Sequence, residues 1–137
     1  MSNQAKTSVS PENHIKKMVS KLYDVSVDGG TVGAHLLNVK IPSGAFITRV
    51  FLEKITTFAS AGGTGTVALT LVSAGDILAA VDADTLTSTF TATIPVNTPA
   101  TFIKNTAATE KELTLTVATE AITAGKYRIY VEYVISG

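Results

Sequence analysis

The feature that most constrains this chain is a period of two. In Tyr127-Arg128-Ile129-Tyr130-Val131-Glu132-Tyr133-Val134-Ile135, an apolar side chain stands at every odd position. Successive side chains of an extended chain point to opposite faces, so such a stretch buries one face and wets the other. The same alternation recurs where Leu113, Leu115 and Val117 interleave with Thr114, Thr116 and Ala118. It recurs again where Val67, Leu69 and Leu71 interleave with Ala68, Thr70 and Val72. Turn-forming clusters punctuate these runs: Asp28-Gly29-Gly30, Pro42-Ser43-Gly44, Ala61-Gly62-Gly63-Thr64-Gly65 and Ser73-Ala74-Gly75-Asp76. Short strands at this spacing make an all-β sandwich or barrel, and no strand–helix–strand alternation supports a parallel α/β fold.

About eight strands are expected. One starts at Tyr23, where Tyr23, Val25 and Val27 alternate, and a second runs over 34–41. The longest, over 45–58, has apolar residues on both faces: Phe46, Val50 and Leu52 on one, Ile47, Phe51 and Ile55 on the other. Burial on both sides, or a bulge that swaps faces, would account for this. Residues 77–81 form an apolar run without a clear period. Thr-rich 86–94 reads as an exposed or edge strand, and a short strand falls near 100–104, after the prolines at 95 and 99. Segments 68–77 and 113–122 echo one another, each a strand, a turn and an aliphatic residue. Equivalent strands in facing sheets produce such an echo without a true repeat.

Before Tyr23 the character changes. Residues 1–21 hold Lys6, Lys16, Lys17 and Lys21 against Glu12, a net +3, while the seven basic and ten acidic residues that follow give −3. Ser10-Pro11-Glu12 reads as a helix start, with Ser as N-cap and Pro at the first helical position. Ile15, Met18, Val19 and Leu22 then fall at i, i+3, i+4 and i+7, with Lys16, Lys17 and Lys21 opposite. Residues 1–22 are therefore expected to be a short helical or extended arm, and 23–137 the β domain. So short a helix forms only when docked, on the chain's own domain or on another subunit.

Composition narrows the function. Charged residues are 16 % of the 137, against about 25 % in an average soluble domain. Thr-rich strands can wet a surface without charge, but the shortfall also fits a surface covered by neighbouring subunits. Formal net charge is zero, and the domain has no basic stripe of the kind that binds nucleic acid. With no cysteine there is neither a disulfide framework nor a thiolate metal site. The N-terminus lacks the apolar core of a secretory signal, and no run approaches the roughly 20 apolar residues of a membrane span. The expectation is a chain made in the cytoplasm, with no nucleic acid or membrane among its partners.

Catalytic constellations are not found. His14 and His35 sit in different elements, without a carboxylate at triad or zincin spacing, and no G-x-S-x-G elbow or P-loop occurs. Asp76, Asp82 and Asp84 could offer oxygen ligands to Ca²⁺, but the group lacks the glycine and closing Glu of a calcium loop, so a solvated loop is the better reading. The glycine loop at 62–65 joins two strands, with no helix to present an N-terminus to phosphate. No enzyme, metal or cofactor is expected.

Several segments resemble tailed-bacteriophage structural proteins of the head decoration or head-fibre type. These are Val27-Asp28-Gly29-Gly30-Thr31-Val32-Gly33-Ala34-His35, Ile41-Pro42-Ser43-Gly44-Ala45-Phe46-Ile47, Ile55-Thr56-Thr57-Phe58, Gly75-Asp76-Ile77-Leu78-Ala79-Ala80, Leu113-Thr114-Leu115-Thr116-Val117, Ala121-Ile122-Thr123-Ala124-Gly125-Lys126 and Val131-Glu132-Tyr133-Val134. They span about 23–136 in order. The resemblance implies an antiparallel jelly-roll-like sandwich, trimeric, displayed on a virion against major capsid protein or other virion proteins. The arm lies outside it; that Ile15, Lys16, Lys17, Met18, Val19, Lys21 and Leu22 dock on the shell is read from their stripe and charge. A receptor- or carbohydrate-binding β module of a tail or fibre is the first rival. Such sites show exposed aromatics, yet the chain has no Trp, and most of its four Tyr and five Phe are in phase with the core. A cupin-like metal barrel is the second rival and needs clustered His and Glu.

Overall fold

The computed structural model describes residues 16–93 and 102–136. Eight strands are present among them: β1 (Lys17–Asp24), β2 (Gly33–Ile41), β3 (Ala45–Ser60), β4 (Thr66–Thr70), β5 (Leu78–Asp82), β6 (Phe90–Ala92), β7 (Lys111–Ala118) and β8 (Ile122–Ile135). They form two antiparallel four-stranded sheets in the orders β1-β8-β3-β6 and β2-β7-β4-β5. The chain passes back and forth between the sheets, and this strand order is that of an eight-stranded jelly roll. The period of two thus did its expected work. Tyr127, Ile129, Val131 and Tyr133 of β8 face Leu113, Leu115 and Val117 of β7 in one core, with Val67, Leu69, Leu37, Val39 and Ile41 beside them.

The long strand carries the face-swapping bulge. Ala45 and Ile47 are buried, then Val50 and Leu52 are, so the inward phase shifts by one residue. The register with β8 slips between Ile47 and Arg49. The Thr48 hydroxyl donates to the Glu132 carbonyl (3.1 Å) and to Glu132 Oε1 (2.8 Å) across the slip. A bulge re-aims side chains beyond it, and here it turns Phe51 and Glu53 outward.

Of the helical and extended readings of the arm, the helical one is corrected: the described part of the arm is extended. Residues 17–24 are β1, paired with β8 from Lys17↔Tyr133 to Asp24↔Lys126. Tertiary pairing overrides the local helical stripe: Tyr23 sinks fully into the core and Val19 packs against it, while Met18 points outward and is half exposed. The boundary expected after residue 22 therefore falls inside a strand. Ser10, Pro11, Glu12, His14 and Ile15 lie outside the described residues. A second correction follows at once. Val25–Asp28, expected to continue a strand, is one turn of helix, α1, because the Asp24 carboxylate accepts from the Ser26 amide and caps it. Unassigned 77–81 becomes β5; the described part of the Thr-rich run shrinks to the edge strand β6; and of the strand expected over 100–104 the described residues keep an isolated Phe46–Lys104 bridge.

The two ends of the sandwich are tied by specific contacts. At one, Asn105 is fully buried and satisfied: its Nδ2 donates to the carbonyls of Ile41 (3.0 Å) and Thr109 (3.1 Å), and its Oδ1 accepts from the Ala107 amide. At the other, Phe58 stacks on Tyr127 at 4.3 Å and meets Tyr23 edge-on at 6.1 Å. Gly125 makes this stack possible, since a Cβ there would lie 2.3 Å from the Phe58 ring. The Tyr23 and Tyr127 hydroxyls donate to the carbonyls of Gly29 and Leu86. Burial, with Asp28 nearby, pushes Tyr23 up to about 12, so both rings stay neutral at ordinary pH. The interior is closed: the void bounded by Leu52, Phe58, Val67, Leu69, Leu115 and Ile129 is about 10 Å³, no more than one water needs.

Candidate docking surfaces

The acidic and glycine-rich segments are absorbed by the fold. The Asp76 carboxylate accepts from the amides of Leu71 (2.9 Å), Val72 (2.9 Å) and Ser73 (3.0 Å), closing the turn after β4. Asp82 caps the short turn Ala83–Thr85 through the Asp84 amide. Among the described residues no three His, Asp or Glu side chains converge on a point. The loop at 61–65 does cradle an anion, and the anion is the chain's own. Glu120 accepts from the Gly62 amide (2.7 Å) and the Thr64 amide (3.2 Å). Hydrogen bonds from Thr64, Ser60 and Gly62 hold its carboxyl below the usual range. His35 spends its Nε2 on the Thr31 carbonyl (2.8 Å) and sets its ring edge-on to Tyr23.

What remains open is the outside of the two sheets, and they differ. Ala34 and Leu36 of β2, Thr114, Thr116 and Ala118 of β7, and Thr66, Ala68 and Thr70 of β4 share the outer face of one sheet. Leu36 is 70 % exposed there. Charge reaches that face mainly at its border, at Lys40 and Glu112.

The outer face of the other sheet is aromatic at its centre and charged around it. Its register lays out three rows. Met18, Glu132 and Arg49 form the first; Ser20, Tyr130, Phe51 and Ala92 the second; Leu22, Arg128, Glu53 and Phe90 the third. Phe51 stacks on Tyr130 at 5.0 Å and meets Phe90 edge-on at 6.3 Å, with the Arg49 guanidinium 5.5 Å from its centroid. The Tyr130 hydroxyl donates to Glu53 Oε1 at 2.8 Å, and that bond holds its pKa above the ordinary tyrosine value. Arg49, Phe51, Phe90 and Ala92 line a hollow of about 380 Å³. Below the first row Phe46 packs on Phe102 at 5.1 Å. Sequence phase had placed most aromatics in the core, but five of the nine stand on this side. The misplacement of Phe51 traces to the bulge at Thr48; Phe90 and Phe102 lie where alternation is too short to assign a face.

The residues expected to dock divide accordingly. Met18 and Leu22 face out from β1, the edge strand of its sheet among the described residues, and Lys17 is exposed at its start in the inward phase, opposite Tyr133. Lys16 lies 3.9 Å from Glu132 and is largely exposed. Val19 packs on the core, and Lys21 pairs with Asp28 at 3.5 Å, so both serve the fold. Asp24, held low by hydrogen bonds from Ser26 and by Lys126 at 3.4 Å, closes the strand.

No protein-family model matches the chain, and no curated protein sequence does. Solved structures do. A chain in the cyanophage Pam1 capsid asymmetric unit is 22 % identical, with a TM-score of 0.66 over 90 % of this chain and 86 % of that one. A chain in the acidic stable capsid structure of Helicobacter pylori bacteriophage KHP30 is 17 % identical, with a TM-score of 0.60 over 88 % of both. A chain in the capsid of Ralstonia phage GP4 is 12 % identical, with a TM-score of 0.60 over 88 % and 86 %. At these identities the likeness is one of fold. It extends over nearly the whole of each chain.

Proposed function

We propose that the chain is a bacteriophage virion structural protein, a decoration or head-fibre subunit that binds the major capsid protein or another virion protein and stabilises the shell. The observation that carries this reading is the near-full-length likeness to chains of three phage capsids. The closed interior and the absorption of Asp76, Asp82 and Glu120 into turns support a binding role over a catalytic one. The protein acts as a homo-oligomer, a trimer, in the virion after synthesis in the host cytoplasm, with no nucleic acid or membrane as partner.

Attachment is assigned to the residues before β1 and at its start. Ile15 and Met18 supply apolar contact worth about 1.5–3 kcal/mol each before ordering costs. Lys16 and Lys17 supply charge for an acidic shell surface. One such arm binds weakly; three on one trimer bind through effective concentration. Truncation of residues 1–15 leaves β1 whole, and with Lys16→Ser, Lys17→Ser and Met18→Ser added is expected to give a folded protein that no longer decorates purified shells in a pelleting assay. Undiminished decoration would remove the arm from the mechanism. Deleting through residue 22 is a poorer test, because it strips an edge strand from the sheet.

A receptor- or carbohydrate-binding module is the second reading, favoured by the exposure of Phe90 beside the hollow at Arg49. Sugars stack on free ring faces, and Phe51 has Tyr130 on one face and Arg49 close by. Glycan-array binding by the isolated domain would favour it.

A further inference from the structure

We infer that the outer face of β1-β8-β3-β6 is a pairing surface for a second copy of this chain, the two copies lying face to face about a two-fold axis. The argument is the arrangement of charge. In register, Arg49 stands beside Glu132, Phe51 beside Tyr130, and Glu53 beside Arg128. An isologous face-to-face contact requires a two-fold axis in the plane of the sheet. An axis running along the strands between β8 and β3 lays β8 over the partner's β3 and β1 over its β6. Arg49 then meets a glutamate, Glu132, and Arg128 meets Glu53. At the centre Tyr130 meets Phe51, and outside them Ser20 meets Ala92 and Leu22 meets Phe90, which is 58 % exposed. No like charges are opposed. An in-plane axis across the strands also sets arginine over glutamate; in either arrangement the match requires the strands of the two copies to stay nearly aligned, because a rotation of about 30° would carry Arg49 toward Arg49 or Glu132 toward Glu132.

The size of the face sets the strength. Four strands about 4.8 Å apart and three rows about 7 Å apart cover roughly 400 Å² per copy. A stable interface of standard size buries about 800 Å² per partner. Pairing is therefore weak in dilute solution and takes hold when copies are held close together. On a shell it joins neighbouring oligomers, a role distinct from attachment to the shell beneath. Electrostatic complementarity here selects the partner and its register more than it adds affinity.

The test is sedimentation of the full-length protein up to about 1 mM, with three variants. Wild type is expected to grow from its low-concentration size, first to twice that size and, where each oligomer carries more than one such face, beyond it. Arg49→Glu with Arg128→Glu, and Glu53→Arg with Glu132→Arg, each weaken the step at least tenfold when alone. Mixed one to one they associate again, which also demonstrates that both are folded. Should the swaps unfold the domain by circular dichroism, Phe90→Ser, at an exposed edge position, is expected to weaken the step about tenfold in a folded protein. Wild type that stays at one size throughout, or a step that folded variants leave unchanged, overturns the pairing. So does a mixture of folded variants that fails to associate. If wild type stays at one size and the swaps instead abolish decoration of shells, the face belongs to the shell protein. No phage particle enters the sedimentation arms, so their failure leaves the virion reading standing.

Discussion

The two sheets have inner faces of one kind and outer faces of two. Inside, both present mainly apolar residues at alternate positions, Ile129 and Val131 against Leu115 and Val117. Outside, one shows Thr and Ala with an isolated Leu36, and the other shows Phe51, Tyr130 and Phe90 among arginines and glutamates that neighbour each other in register. Packing requires the likeness, because both inner faces fill a single core. Nothing in packing requires the difference. An outer face needs only enough polarity to stay wet, which the Thr-rich sheet manages without charge. Aromatic and charged residues in excess of that requirement mark the surface that recognises something.

The comparison can be broken first from the inside. Ile129→Ala in one sheet and Leu115→Ala in the other are each expected to cost about 2–5 kcal/mol in denaturant unfolding. A sheet that tolerated its substitution would show that the cores are not shared equally. On the outside the effects should part. Phe51→Ala removes a ring from two aromatic contacts and is expected to cost about 0.5–1.5 kcal/mol, while Thr116→Ala stays within about 0.5 kcal/mol. Equal costs would mean that the aromatic face is no better organised than the Thr face.

Acid gives the smallest effect and places it away from either face. The Glu120 carboxyl is held below its ordinary value by amides of the 61–65 loop. A carboxyl lowered by folding contributes stability that is complete above its unfolded pKa, about 4, and is lost as pH falls through the folded value. Glu120→Gln is expected to flatten the acid limb of a thermal-melt series between about pH 5 and pH 3. An unchanged limb would move the acid sensitivity elsewhere, Asp24 being, among the described residues, the other carboxylate held low.

Much of the fold was legible because a β-strand writes its burial into alternate residues. β7 and β8 stand close to where Leu113–Val117 and Tyr127–Ile135 put them. β1 was illegible for a physical reason. Its inward positions are Val19, Lys21 and Tyr23, and the lysine breaks the alternation while Met18 and Leu22 complete a helical stripe by chance. Only the presence of β8 decides between the two periods. β5 failed because Ala79 and Ala80 are both exposed and carry no contrast. The aromatic face was hidden more deeply. Its residues come from four strands, and one of them turns outward through a slip at Thr48 that the sequence marks only as apolar residues on both faces, without locating it. The proposed docking residues at the arm were visible as a change in charge, but their allotment between fold and surface required the pairing with β8.

The position of β8 in its sheet has a consequence in time. Of the eight strands described it is the last to be synthesised, and it lies between β1 and β3, the first and third. Until it arrives, both have open edges and no common partner, so that sheet cannot close before β8 is made. Contacts spanning most of the chain slow folding. For that interval, in a cell filling with copies of the same chain, the intermediate offers unpaired edges to its neighbours. The domain must therefore complete its fold once β8 is available, and before it meets another copy in the same state.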